Sequence, residues 1–208
     1  MLSDEQSAGR GRLGRSWIAP PGSSLLLSIV LRREVPSILL TALCSVAIVE
    51  AVEDLTGLTS KIKWPNDVMI GARKACGILT EVLSRDERTT TVVGIGLNVN
   101  LDPSAEGLPS TATSLSAELG AEVDRAAMFG ALLRRLDALL SLDDRSLERE
   151  TRRRWEPLLW RRSQGVRVEQ DGPTLYGVVV GLTPNDALLL RRPDGELLEV
   201  VVGDVEAV

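Results

Sequence analysis

A chain of 208 residues, 44% hydrophobic and 25% charged, can bury a substantial core and has the balance of an ordinary soluble globular protein. Its 29 acidic against 24 basic residues leave a net charge of −5, which argues against a broadly basic nucleic-acid-binding face but leaves room for a local basic patch. There is no histidine, so Ser-His-Asp and Cys-His catalysis and histidine-ligated zinc or iron are excluded, and any chemistry rests on Lys, Arg, Asp, Glu, backbone groups or an oxygen-held metal.

The opening "MLSDEQ" has neither the basic nor the apolar region of a signal peptide and reads as the end of a strand. "AGRGRLGRSW" (8–17) follows, too rich in glycine for a stable helix or strand, then an "APPG" turn and the strand "SLLLSIVL" (24–31). Pro36 and Ser37 open a buried helix that runs to about Asp54 and ends near Gly57; its apolar run is too short and too interrupted for a membrane span. "SKIKWPND" (60–67) predicts a short strand broken by Pro65. "VMIGARKACGILTEVL" predicts a hairpin turning at "GARK", and "TTTVVGIGLNVN" (89–100) a strand whose glycines admit a close neighbour.

From 113 the apolar period becomes helical. Phe129, Leu132, Leu133, Leu136, Leu139 and Leu140 fall on one face behind an Asp124 N-cap. A charged amphipathic helix follows over 145–159, whose "ETRRRW" run reads as a solvated face. Near Arg162 the pattern changes again to four short strands separated by "DGP", "TPND" and "RPDG" turns, which predicts a small barrel-like domain. The boundary therefore falls at 1–162 and 163–208. Cys44 and Cys76 form no C-x-x-C pair and read as reduced thiols of a cytoplasmic protein.

Four stretches could carry chemistry, and each also has a plain structural reading. In the first, Arg10, Arg12 and Arg15 stand among Gly9, Gly11 and Gly14, where backbone N–H groups and guanidinium forks can meet carboxylate or phosphate. The spacing fits neither a P-loop nor a Rossmann turn, and the stretch could instead be a flexible segment touching nucleic acid or nothing. In "KWPND", Lys63 is a cation, Asn66 a neutral donor and acceptor, and Asp67 a hard ligand suited to magnesium, or the five residues are simply a turn. "KACGIL" sets Lys74 before Gly77, and "GIGLNVN" ends on Asn98; alone, these read as an exposed hairpin lysine and a strand end.

Taken together, G-R-G-R-x-G-R-x-W, K-W-P-N-D, K-x-x-G-I-L-x-E and G-I-G-x-N-V, in this order and over essentially the whole chain, resemble the biotin protein ligase family. The resemblance implies an α/β (α+β) fold: a mixed sheet flanked by helices, of the class II aminoacyl-tRNA-synthetase-like type, followed by an SH3-like barrel. It implies ATP- and magnesium-dependent conversion of biotin to biotinyl-5'-adenylate, then transfer to a lysine of a biotin carboxyl-carrier protein domain. By position, Gln6, Gly9, Arg10 and Arg12 match the biotin and adenylate loop, and Lys74 the lysine between biotin carboxylate and α-phosphate. Lys63 matches a second phosphate lysine, Asn66 and Asp67 its motif, Asn98 the asparagine facing the nucleotide, and Gly77 the strand glycine against the biotin rings. Catalysis is expected of Lys74, Lys63, Arg10 and Arg12, and magnesium binding of Asp67.

Members of the family carry a strand and helix with a [ST]-[ST]-N motif ahead of the loop. The start at Met1 leads to the expectation of a truncated N-terminus, with an inactive or ligand-binding remnant as one alternative and an arginine-loop nucleic-acid module as another. No membrane or nucleic-acid partner is expected, and a homodimer is left open.

Overall fold

The computed structural model describes residues 1–85 and 88–208. Six strands form the larger sheet: β1 (Leu2–Ser3), β2 (Ser24–Leu31), β3 (Lys61–Lys63), β4 (Asp67–Ile70), β5 (Arg73–Arg85) and β6 (Arg88–Asn98), in the order β1-β2-β6-β5-β4-β3. The sheet expected to be mixed is antiparallel at every described strand pair. The cause is connectivity: β3 to β6 follow one another through connections too short for the crossover that a parallel pair requires.

Helix α1 (Ser37–Thr56) lies against this sheet, touching β5 most extensively, with α3 (Arg125–Leu140) and α4 (Asp144–Trp155) against its other side. A helix covered on both sides must be apolar all round, as the sequence of α1 is: thirteen of its residues are buried, Leu40, Leu43 and Ile48 among them. It ends where Gly57 takes a left-handed φ of 72°. The short α2 (Leu115–Leu119) precedes α3. Asp124 caps α3 as predicted, accepting from the amides of Ala126 and Ala127. Its apolar face is rotated slightly from the expected one: Met128 and Ala131 are buried with Leu132, Leu136 and Leu139, while Leu133 is exposed.

The C-terminal strands number five rather than four: β7 (Gly165–Glu169), β8 (Leu175–Leu182), β9 (Leu188–Arg191), β10 (Leu197–Val200) and β11 (Asp204–Ala207). They form an antiparallel sheet in the order β10-β9-β8-β7-β11. No pairing joins β10 to β11 among the described residues, so the strands make an open sheet rather than the closed barrel that was expected. The unpredicted strand, "DVEA", is too short and too polar for its alternation to register. Among the described residues no helix is long and apolar enough to cross a membrane.

The "ETRRRW" run is a correction. Arg153 is exposed, but Arg152 reaches Asp186 in the turn between β8 and β9, and Arg154 reaches Glu50 of α1. The run is a set of inter-element ties rather than a solvated face.

Candidate active site

Strand register brings the separated motifs together. Lys63 pairs with Asp67, Asp67 with Gly77, Gly77 with Gly96, and Gly96 with Leu26, so one cross-strand row runs from β3 to β2. Residues in such a row share a sheet face. Alternation then puts Ile78 and Ile95 on the opposite face, where both are buried in the core with α1.

Lys74 would follow the parity of Cys76 and Ile78 into that core. A register shift in the β4–β5 pairing prevents this: Val68 opposes Cys76, but Met69 opposes Lys74, leaving Ala75 as the extra residue. A β-bulge re-aims the side chain beside it. The ammonium of Lys74 accordingly stands 2.7 Å from Asp67 Oδ1 on the site face and 5.4 Å from the Trp17 ring centroid. That ammonium is the partner of the buried Oδ1.

The glycines of the row are needed for close approach. A Cβ on Gly96 would lie 2.5 Å from Trp17 Cε2, and one on Gly77 2.8 Å from Trp17 Cζ3. The neighbour expected from the glycine pattern is therefore Trp17, whose indole lies flat against β5 and β6.

The arginine stretch folds into a closed loop. Arg10 bridges Ser16, the Trp17 amide donates to the Gly9 carbonyl at 2.9 Å, and the Gly11 amide donates to the Arg15 carbonyl at 2.7 Å. A Cβ at Gly9 would press on the Trp17 carbonyl, with the side-chain oxygen of exposed Gln6 close by. Each arginine goes to a different element. Arg10 pairs with Glu81 of β5 at 3.2 Å, Arg12 donates to Asn66 Oδ1 at 2.8 Å, and Arg15 pairs with Asp204 of β11 at 2.5 Å. A cavity of about 360 Å³ under the loop is lined by Arg10, Arg12, Leu13, Arg15, Leu79 and Glu81. A second, of about 440 Å³, lies away from every predicted site residue, beside Gly71, Trp160 and Arg162.

Asn66 is held in turn by its own amide, which donates to the Ile78 carbonyl at 3.0 Å. Asn98 is buried; its amide donates to the Thr113 carbonyl at 2.9 Å and its oxygen accepts from Ser24 at 3.4 Å. The register and these contacts thus gather Gly9, Arg10, Arg12, Lys63, Asn66, Asp67, Lys74 and Gly77 around one face. Asn98 sits one alternation beyond Gly96 on the same strand. Sequence reasoning missed Asp204, and it reached Glu81 only as the last residue of K-x-x-G-I-L-x-E, without its pairing to Arg10. Nothing local marks Asp204, one carboxylate on a short polar strand.

The model of the biotin/lipoate A/B protein ligase family matches residues 1–100. The chain is 31% identical over 205 residues to the biotin--[acetyl-CoA-carboxylase] ligase of Paracoccus denitrificans, covering 94% of this chain and 85% of that protein. It belongs to the biotin protein ligase family. The bifunctional ligase/repressor BirA of Bacillus subtilis is 33% identical over 218 residues, covering 99% of this chain; the chain spans 65% of that protein's length. Among solved structures, the biotin protein ligase of Aquifex aeolicus in complex with biotin and ATP superimposes with a TM-score of 0.86 at 29% identity, covering 99% of this chain and 86% of that one. The antiparallel sheet, the helices and the second sheet are thus the architecture of a biotin protein ligase.

Proposed function

We propose that this chain is a biotin–[biotin carboxyl-carrier protein] ligase. The observation that carries the reading is the cross-strand row Lys63–Asp67–Gly77–Gly96, with Lys74 turned onto it and the arginine loop folded across it. In the first step a carboxylate oxygen of biotin attacks the α-phosphorus of ATP and pyrophosphate leaves, forming the mixed anhydride. Two anions must meet, so fixed positive charge lowers the barrier. Lys74, Lys63, Arg10 and Arg12 are the cations proposed to provide it. In the second step the amine of a carrier lysine attacks the acyl carbon, loses a proton, and displaces AMP to leave an amide.

Biotin is assigned to Gln6, Gly9, Arg10, Arg12, Lys74 and Gly77, and the adenylate to Arg10, Arg12, Lys63, Asn66, Asp67 and Asn98. Asn98 has one amide hydrogen left after its bond to Thr113, enough for one contact with a base. Magnesium, when bound, would neutralise triphosphate charge. Among the described residues no group of three or more metal-ligating side chains exists. Buried Asp67, a carboxylate with one oxygen paired to Lys74, suits an ion that takes one carboxylate and completes its shell with phosphate and water. The catalytic unit is assigned to 1–162 and the small C-terminal unit, with its open five-stranded sheet, to 163–208.

All three arginines of the loop are engaged within the molecule, which disfavours a free nucleic-acid patch. Calorimetry with biotin and then ATP, followed by mass spectrometry of a carrier domain, tests the proposal. Heat on binding and one added biotinyl group are expected; no heat and no mass change would overturn it.

A further inference from the structure

The second sheet places one carboxylate among the cations of the site. Asp204 opens β11, an edge strand, and its carboxylate meets the Arg15 guanidinium at 2.5 Å. Its side chain is 25% exposed, so solvent screens this pair less than it would an open surface pair. Burial pulls the Asp204 carboxyl upward, but the Arg15 hydrogen bond and the charges of Lys63, Arg15 and Arg12 outweigh that pull and leave it below the ordinary carboxylate value. The carboxylate therefore faces three cations, two of which are assigned to the phosphates and the biotin carboxylate.

Arg15 is the one loop arginine whose partner lies outside the larger sheet and its connections. Arg10 and Arg12 attach the loop to β5 and to Asn66, next to β4, whereas Arg15 attaches it to β11. The second sheet also touches the "KWPND" stretch, because Trp64 Nε1 donates to the Asp186 carbonyl at 3.0 Å. Two of the three cation-bearing segments of the site, the loop and "KWPND", are thus tied to the C-terminal unit.

We propose that Asp204 is a positioning residue that, through Arg15, latches the loop of residues 9–17 shut, so that the C-terminal sheet sets how long the activated acyl group is kept from water. The latch itself is a matter of loop closure; its effect on the acyl group rests on the ligase reading. It holds without ligand, and substrate anions entering the cluster share its cations. Breaking it removes one of the three side-chain anchors of the loop, so the whole of 9–17 opens more often.

The intact chain carries its own probe, since Arg10, Arg12 and Arg15 are trypsin sites inside the loop. For the ligand-free full chain, Asp204→Asn is expected to speed cleavage within the loop by about twofold to fivefold, the range for losing a partly exposed charge pair. Asp204→Glu is expected to restore protection. Arg15→Gln, made on the exposed side and harmless to packing, is expected to speed cleavage after Arg10 and Arg12 to the same degree. Joined to Asp204→Asn it should add nothing, because the two act through one contact. A purely structural role would instead make cleavage track thermal stability and the two effects multiply. Wild-type cleavage rates in both single variants, or multiplied effects, would overturn the latch. With biotin and ATP, the Asp204→Asn chain is expected to release adenylate faster by a similar factor in single turnover, and release at the wild-type rate would overturn the link to retention. If the wild-type chain makes no adenylate, the ligase reading fails, and the cleavage comparison still decides the latch.

Discussion

Lys74 shows how one extra residue decides what a side chain can do. Without the bulge at Ala75 its ammonium would enter the core beside Cys76; with it, the charge stands against Asp67 and Trp17. Lys74→Gln keeps the length and loses the charge, and is expected to slow adenylate formation about 100-fold, read by pyrophosphate exchange, with little change in folding. Gly96→Ala tests the other side of the row. Because the new Cβ would lie 2.5 Å from the indole, Trp17 and the loop it ends must shift. The expected result is a change in tryptophan emission and a rise of about tenfold in the KM for biotin or ATP, equivalent to about 1.4 kcal/mol. The thiols follow chiefly from burial. It pushes Cys44 up to about 12 and Cys76 up as well, against the lowering influence of Lys74. Both stay protonated in the folded chain at mildly alkaline pH, so an alkylating reagent is expected to label neither until denaturant is added. The sign is that of a raised group: its contribution to stability is full below the unfolded value of 9.0 and falls as pH climbs above it.

At the scale of elements, periodicity and caps were informative because they are local. The strand over 24–31, the helix closed by Gly57 and the Asp124 cap all occur where side-chain alternation, left-handed glycine and carboxylate capping place them. Asp124→Ala removes the acceptor of two first-turn amides and is expected to cost about 1 kcal/mol, measured as a lower urea midpoint with unchanged slope. Leu133 and the "ETRRRW" run were misread for one reason. A helical wheel gives the spacing of residues but not the azimuth of the neighbour, and here α1 and the C-terminal sheet set which side is covered.

Across the whole molecule, the two sheets are joined by charge as well as by packing. Arg152 of α4 meets the carboxylate of Asp186 with two nitrogens, at 2.7 and 2.9 Å, and that carboxylate is only 4% exposed. Arg152→Ala would leave it buried and unpaired, at a cost of about 2 kcal/mol, and calorimetry is expected to give a lower or split unfolding transition. Asp186 was not legible beforehand: a "TPND" turn predicts a bend, not a carboxylate facing a helix thirty-four residues earlier.

The family, the order of the longer strands and helices and nearly all of the cation-bearing residues are determined by the sequence itself. Short motifs at fixed spacing, hydrophobic period and turn chemistry act over a few residues, and so they survive in one dimension. What only the tertiary structure decided is which charges meet. The antiparallel register that aligns Lys63, Asp67, Gly77 and Gly96, the bulge that turns Lys74, and the pairing of Arg15 with Asp204 depend on strand neighbours far apart in the chain. A long-range contact is specified by the summed packing of both partners' surroundings, and no local pattern carries that sum.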